Sequence, residues 1–307
     1  MSHHLLSPQN DLVFKRIFGT DRNKAFLSKM LNSVLVNQLT SPIVSIVFVT
    51  DTMRHSPIVK ETIVDIRCQD EKGNRYVIEM QVAKTDSFLE RVQFYVARAL
   101  SNQLYVGQDY AKAKRVIFLG FTGYPLFPHK ATYKSEHATL DQKSYEGDLN
   151  HLRYVFIELS KFEKQCQKTN DSLTLEERFY RFLNQAHLSD PQDREALIGG
   201  DEDFAQAFRE LERASWSPEE LALYDDIQDT IRNNYDAEVR RRADAIAKAQ
   251  KEGKQEGIKE GVEKGKKEGE ARGIEKGKLE IAKAMHRDGV DLEIIKKHTG
   301  IDPSRLA

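Results

Sequence analysis

Residues 63–82 read IVDIRCQDEKGNRYVIEMQV, and their reading decides the fold. Two apolar-rich runs flank the polar stretch Asp70-Glu71-Lys72-Gly73-Asn74, where glycine and asparagine suit a tight reversal. Residues 61–69 and 75–83 are therefore expected to pair as the strands of a hairpin. Side chains alternate across a strand. Val64, Ile66 and Cys68 then share one face, with Ile63, Asp65 and Arg67 on the other. On the second strand Tyr76, Ile78, Met80 and Val82 form an apolar face, opposite Val77, Glu79 and Gln81. A reversal centred on Lys72 sets Asp65 across from Glu79, with the two side chains about 5 Å apart at Cβ.

Working outward, residues 11–39 carry apolar side chains at helical spacing: Val13, Phe14, Ile17 and Phe18, then Phe26, Met30, Leu31 and Val34. Gly19-Thr20-Asp21 splits them into two helices, with Asp21 a candidate N-cap for the second. Residues 43–50, rich in Ile and Val, predict a strand. Residues 86–110 predict a helix, 115–121 a central strand, 153–159 a further strand and 175–186 a helix. This order implies an α/β fold, a mixed central sheet flanked by helices, over residues 1–190. A polar helical extension follows over 191–250, with Trp216, Leu221, Leu223, Tyr224 and Ile227 as its expected buried points and Ser217 and Glu220 spaced to cap it. Residues 251–280 are a Gly/Lys/Glu repeat with glycine at every fourth position from Gly253 to Gly277. Each interior glycine costs a helix about 0.8–1 kcal/mol relative to alanine, so a frayed or partner-stabilised helix is expected there. Residues 281–307 read as a small helical module with turns at Asp288-Gly289 and Thr299-Gly300.

Charge and composition exclude some classes. The net charge of −1 gives no whole-molecule attraction to nucleic acid, so a DNA binder of this composition needs a local basic patch. No run approaches the roughly 18 apolar residues of a membrane span, and the N-terminal residues carry no signal-like apolar segment. The two cysteines, Cys68 and Cys166, fit no zinc spacing and suit a reducing cytoplasm. The histidines are scattered, and no Ser or Cys has a placed His or Asp partner for nucleophilic catalysis.

The chemistry therefore rests on the hairpin. Two carboxylates opposite each other repel, and a divalent cation is the economical offset; paired carboxylates with waters suit Mg²⁺. The alternative at this point is an edge hairpin whose outer face happens to be polar. The helix after the hairpin carries Arg91, Tyr95 and Arg98 at spacings of four and three, hence on one face. That face could grip a phosphate backbone, or it could be a solvated face with Tyr95 partly in the core.

Several spaced motifs now come together: Asp11-Leu-Val-Phe14-Lys15-Arg-Ile-Phe18-Gly19, residues 60–65, Ile78-Glu79-Met80-Gln81, and Phe88-x-x-Arg91-x-x-x-Tyr95. Together they resemble the Rpn family, recombination-promoting nucleases also described as putative transposases, of the PD-(D/E)xK superfamily. The resemblance spans almost the whole chain and is densest over residues 8–160. It implies a restriction-endonuclease-like core and a metal-dependent DNA endonuclease acting in recombination or mobile-DNA processes. Asp65 and Glu79 would bind Mg²⁺ (or Mn²⁺), helped by Asp11. Gln81 would complete the catalytic set where the superfamily usually has lysine, and Lys60, Arg91, Tyr95 and Arg98 would be support or DNA-contact positions. Val64 replaces the motif proline, which has no chemical role. Gln81 in place of lysine matters more, because glutamine cannot offset phosphate charge; Lys60 or Lys84 could supply the missing cation. Two competing readings are a nuclease fold turned DNA-binding or assembly module, and a scaffold working through its repeat tail. The expected partners are DNA and a second copy of the chain, joined through the C-terminal region as a homo-oligomer, a dimer in the simplest case, with no membrane.

Overall fold

The computed structural model describes residues 5–49, 65–302 and 304. Lys60, the expected residues 61–64 of the first hairpin strand, Thr50, and His3 and His4 lie outside them. The chain divides into two compact units, residues 1–236 and 237–307.

The first unit is built on a six-stranded sheet of order β1-β2-β3-β4-β6-β5. Its strands are β1 (Ile46–Phe48), β2 (Ile66–Asp70), β3 (Arg75–Gln81), β4 (Val116–Thr122), β5 (Lys134–Ala138) and β6 (Leu152–Glu158). β2 and β3 form the expected antiparallel hairpin, and β3, β4 and β6 run parallel. The edge-hairpin alternative thus falls: β3 lies inside the sheet, between β2 and β4, and the edges are β1 and β5. The turn is fastened by Asp70, whose buried carboxylate accepts from the Lys72 and Asn74 amides, the Asn74 side chain and the Tyr76 hydroxyl. Gly73 takes a positive φ of 86° there, open to glycine at little cost.

Helices cover both faces. α1 (Asp11–Phe18), α2 (Lys24–Val34), α4 (Leu159–Gln165), α5 (Leu175–Gln185), α6 (Pro191–Ile198) and α7 (Glu202–Leu211) share a large aromatic-rich core on the side of Ile66, Cys68, Tyr76, Ile78 and Met80. On the other side α3 (Phe88–Ser101) packs Phe88, Val92 and Val96 against Val77, Val116, Phe118 and Phe156. The alternation read from the sequence therefore holds on both strands. Residues 191–236 join the same core through Leu197, Phe204, Phe208, Leu211, Trp216 and Tyr224. Leu223, expected to be buried, is exposed.

Three local expectations need correction. Asp21 opens a short 3-10 turn rather than capping α2, which starts after Asn23. The α1 cap is Asn10, whose side chain accepts from the Leu12 amide at 3.0 Å. Strand β5 and helix α4 were not anticipated. The Ser217–Glu220 cap does form, each side chain bonded to the other residue's amide.

α8 runs from Pro218 to Arg287, and the repeat glycines do not interrupt it. A Cβ at any of Gly253, Gly257, Gly261, Gly265, Gly269, Gly273 or Gly277 would meet nothing within 4 Å. In the second unit, the end of α8 and α9 (Leu292–Thr299) enclose a small cluster of Ala282, Ile295 and Ile301. Among the described residues no helix is long and apolar enough to cross a membrane.

Candidate active site

The hairpin register pairs Ile66 with Ile78 and Arg67 with Val77, so one step further Asp65 faces Glu79. Both carboxylates open into a cleft of about 440 Å³ at the C-terminal end of β3. Asp11 and Lys15 line it from α1, Gln81 from the end of β3 and Ala83 just past it, Arg91 from α3, and Asp226, Thr230 and Asn234 from α8. Asp11 and Lys15 reach it together because four residues make about one helical turn.

Each carboxylate has specific partners. Asp65 accepts the Met80 amide at 2.8 Å and pairs with Lys15 at 3.2 Å. Glu79 Oε1 accepts from Arg91 Nη2 at 3.1 Å, while Glu79 Oε2 is buried with no partner among the described residues. The same Arg91 nitrogen donates to Gln81 Oε1 at 2.6 Å, and Gln81 Nε2 donates to the Ala83 carbonyl at 2.6 Å. Arg91 also lies over the Phe88 ring, 5.5 Å from its centroid.

The electrostatics follow from crowding Asp11, Asp65 and Glu79 together in the cleft. Burial, and then the nearby Asp65 charge, push Glu79 up to about 7, with Arg91 pulling the other way. Asp65 is raised by burial against the opposing Met80 amide and Lys15. Burial and Asp65 raise Asp11 to about 6, although Asp11 stays exposed to cleft water, which screens it. All three carboxyls therefore hold their protons to higher pH than isolated carboxylates would.

Donor chemistry bears on the implied metal. Two buried carboxylates, one with an unbonded oxygen, and a third beside them suit a hard, oxygen-seeking cation. Lys15 and Arg91 occupy part of that role, and among the described residues no group of three or more His, Cys, Asp or Glu side chains is drawn together as a metal site. Asp65 and Glu79, with Asp11 adjoining, are the residues that would hold one.

The other expected residues separate. Tyr95 is buried at 8% exposure. Arg98 lies with Arg67, Arg75 and Tyr95 around a different, smaller cavity, away from the carboxylate cleft. Lys84 is exposed and does not line the cleft. Several residues were missed, among them Asp226, Thr230 and Asn234 of α8. The four-residue step from Asp11 was the available signal for Lys15. Tyr124, just past β4, left none: its buried hydroxyl has no partner among the described residues, and burial raises it to about 12, with Arg91 pulling the other way and Glu79 adding to the rise.

A profile of the PD-(D/E)XK nuclease family transposases matches residues 8–238. The chain belongs to this family. The match takes in the whole cleft of this PD-(D/E)XK protein, from Asp11 to Asn234. Comparison with curated proteins and with solved structures gives no match. PD-(D/E)XK nucleases generally use divalent metal ions, in line with the donor set of Asp65 and Glu79.

Proposed function

We propose that this protein is a Mg²⁺-dependent (or Mn²⁺-dependent) DNA endonuclease that hydrolyses phosphodiester bonds during recombination or mobile-DNA processes, in the cytoplasm. The observation that carries the reading is the facing pair Asp65 and Glu79, buried in an open cleft and belonging to a nuclease family. A divalent cation held there would supply a more acidic water and neutralise charge on the phosphate. Glu79 would hold that cation together with Asp65, its Oε2 lacking any partner among the described residues. Lys15 keeps Asp65 oriented from one side while the Met80 amide fixes it from the other. Arg91 places positive charge at the same opening, and Asp11 adds a third carboxylate at the rim. Tyr95 acts by supporting α3, and Arg98 contacts DNA outside the cleft.

Supercoiled-plasmid nicking with Mg²⁺, Mn²⁺, Ca²⁺ or chelator tests this. Cleavage with Mg²⁺ or Mn²⁺, at most binding with Ca²⁺, and none in chelator is expected, because Ca²⁺ is larger and looser in its geometry. Undiminished cleavage in excess chelator contradicts it.

A second reading is a slow or inactive nuclease fold that binds DNA or assembles. The observation favouring it is that position 81 carries no cation and its amide is engaged at both ends. DNA binding without nicking under any metal supports that reading. We further propose that residues 251–307 join two copies, tethering two active sites on one DNA.

A further inference from the structure

Gln81 is where this site departs from nucleases that carry lysine at the end of the second strand. A lysine there would place an ammonium against the Arg91 guanidinium; a glutamate would add another acid to a cleft already lined by Asp11, Asp65, Glu79 and Asp226. The amide avoids both. Its Nε2 is anchored on the Ala83 carbonyl at 2.6 Å, which turns Oε1 toward Arg91 Nη2, also at 2.6 Å. The Nη2 group reaches Glu79 Oε1 at 3.1 Å, and the guanidinium rests over Phe88. An arginine from α3 is thus fixed at the strand end where a lysine side chain would emerge.

We propose that Arg91 is the cation this site presents to the scissile phosphate, in the role lysine fills in related nucleases, and that Gln81 is the residue that positions it; this rests on the nuclease reading above. Arginine keeps its charge throughout the working pH range and offers five N–H donors in a planar fork. Nη2 serves Gln81 and Glu79. The Arg91 side chain keeps 33% of its surface exposed where it lines the cleft, so a phosphate entering there can meet the guanidinium. A phosphate accepts paired N–H groups readily. In hydrolysis a bond forms from water oxygen to phosphorus as the phosphorus bond to the leaving sugar oxygen breaks; water gives up one proton and the leaving oxygen gains one. Arg91 neither gives nor takes a proton in this exchange. It donates hydrogen bonds to the non-bridging oxygens, where negative charge builds.

Single-turnover nicking is compared for wild type, Arg91→Gln, Gln81→Met and Gln81→Lys/Arg91→Gln, with DNA affinity measured in Ca²⁺ and the Glu79 carboxyl titrated by isotope-edited infrared spectroscopy. Arg91→Gln is expected to slow cleavage by at least about 100-fold, the loss typical of removing one preorganised charge stabiliser. Gln81→Met should slow it about 10-fold with DNA affinity nearly unchanged, as a misplaced stabiliser implies. The double variant should recover at least about 10-fold over Arg91→Gln and acquire an alkaline limb from the new ammonium, which wild type lacks. Glu79 should titrate higher in Arg91→Gln than in wild type, which reports the pairing without reference to cleavage. Folded Arg91→Gln that cleaves like wild type overturns the proposal while leaving the nuclease reading intact, as does a Glu79 titration indifferent to Arg91. A folded double variant no better than Arg91→Gln overturns the equivalence with lysine. Wild type that never nicks overturns the nuclease reading and this proposal with it.

Discussion

Glu79 sets the charge balance of the cleft, and it does so at a cost to stability. Asp65 and Asp11 face it as acids, while Arg91 and, through Asp65, Lys15 oppose them. Its folded value of about 7 lies above the ordinary 4.5, so the folded state binds the proton more tightly. That stabilisation is fully present below about pH 4.5 and is lost as pH rises through about 7. A folded Glu79→Gln variant should therefore gain on the order of 2–3 kcal/mol over wild type at pH 8 and little at pH 4.5, while losing nicking. Thermal unfolding at the two pH values checks this; equal melting shifts at both would contradict it. Asp65 differs, because its carboxylate also satisfies the Met80 amide. Asp65→Ala should abolish nicking with the fold retained by circular dichroism, but cost about 1–3 kcal/mol from the stranded N–H; Asp65→Asn should abolish nicking at less cost. The facing of Asp65 and Glu79 was legible because strand alternation and turn length are local properties of the chain. Which helical cation reaches them was not. Arg91 and Arg98 share a face, but seven residues put them about 10 Å apart along the axis, so only Arg91 meets the end of β3.

At the scale of elements, α1 both carries half the site and ties it to the C-terminal helices. Arg16 bonds Glu210 at 2.8 Å, the Ser215 carbonyl at 2.7 Å and Glu220 at 3.3 Å, and lies 4.1 Å over the Trp216 ring. Arg16→Ala should cost about 2–3 kcal/mol, less than a fully orphaned buried ion because Arg22 still reaches Glu210. Chemical denaturation measures it, and a loss below about 0.5 kcal/mol, the usual range for a surface change, would show the cluster to be incidental. Some elements gave no signal. β5 is an edge strand of sequence KSEHA in which only Ser135 is buried, so it lacks the apolar alternation that reveals a strand. α4 follows β6 without a turn residue between Glu158 and Leu159, and its Leu159 reads as strand from sequence alone. In α8 the local penalty of seven glycines did not decide the outcome, since the helix passes through them. With no packing around those glycines, amide exchange over residues 251–280 should be far faster than in β3 or β4 for an isolated chain. Slow exchange there in a dimer and fast exchange in a monomer would fit assembly through this segment.

At the scale of the molecule, the compact unit that carries the cleft extends beyond residue 190, to residue 236. The Tyr224 hydroxyl accepts the Ser7 amide at 3.1 Å, its carbonyl accepts from buried Asn10, and residues 226–234 line the cleft. Removing residues 250–307 should leave nicking by each subunit intact and lower the molar mass in light scattering from dimer to monomer, with double-strand cleavage reduced more than nicking. A truncated protein that keeps the full-length oligomeric state would exclude the tail as the assembly element. The mixed sheet with helices on it and the two faces of the hairpin were readable from periodicity, whereas the strand order β1-β2-β3-β4-β6-β5 was not. The inclusion of residues 191–236 was not, because their apolar positions show that a face is buried without showing against what.

The central claim is that Asp65 and Glu79 form the metal-dependent centre of a DNA endonuclease. The most direct measurement is nicking of supercoiled DNA by wild type, Asp65→Asn and Glu79→Gln, each verified as folded, with Mg²⁺ and with chelator. Cleavage by wild type alone, and only with the metal, is the expected result. Cleavage by either folded variant at the wild-type rate, or by wild type in chelator, would contradict it.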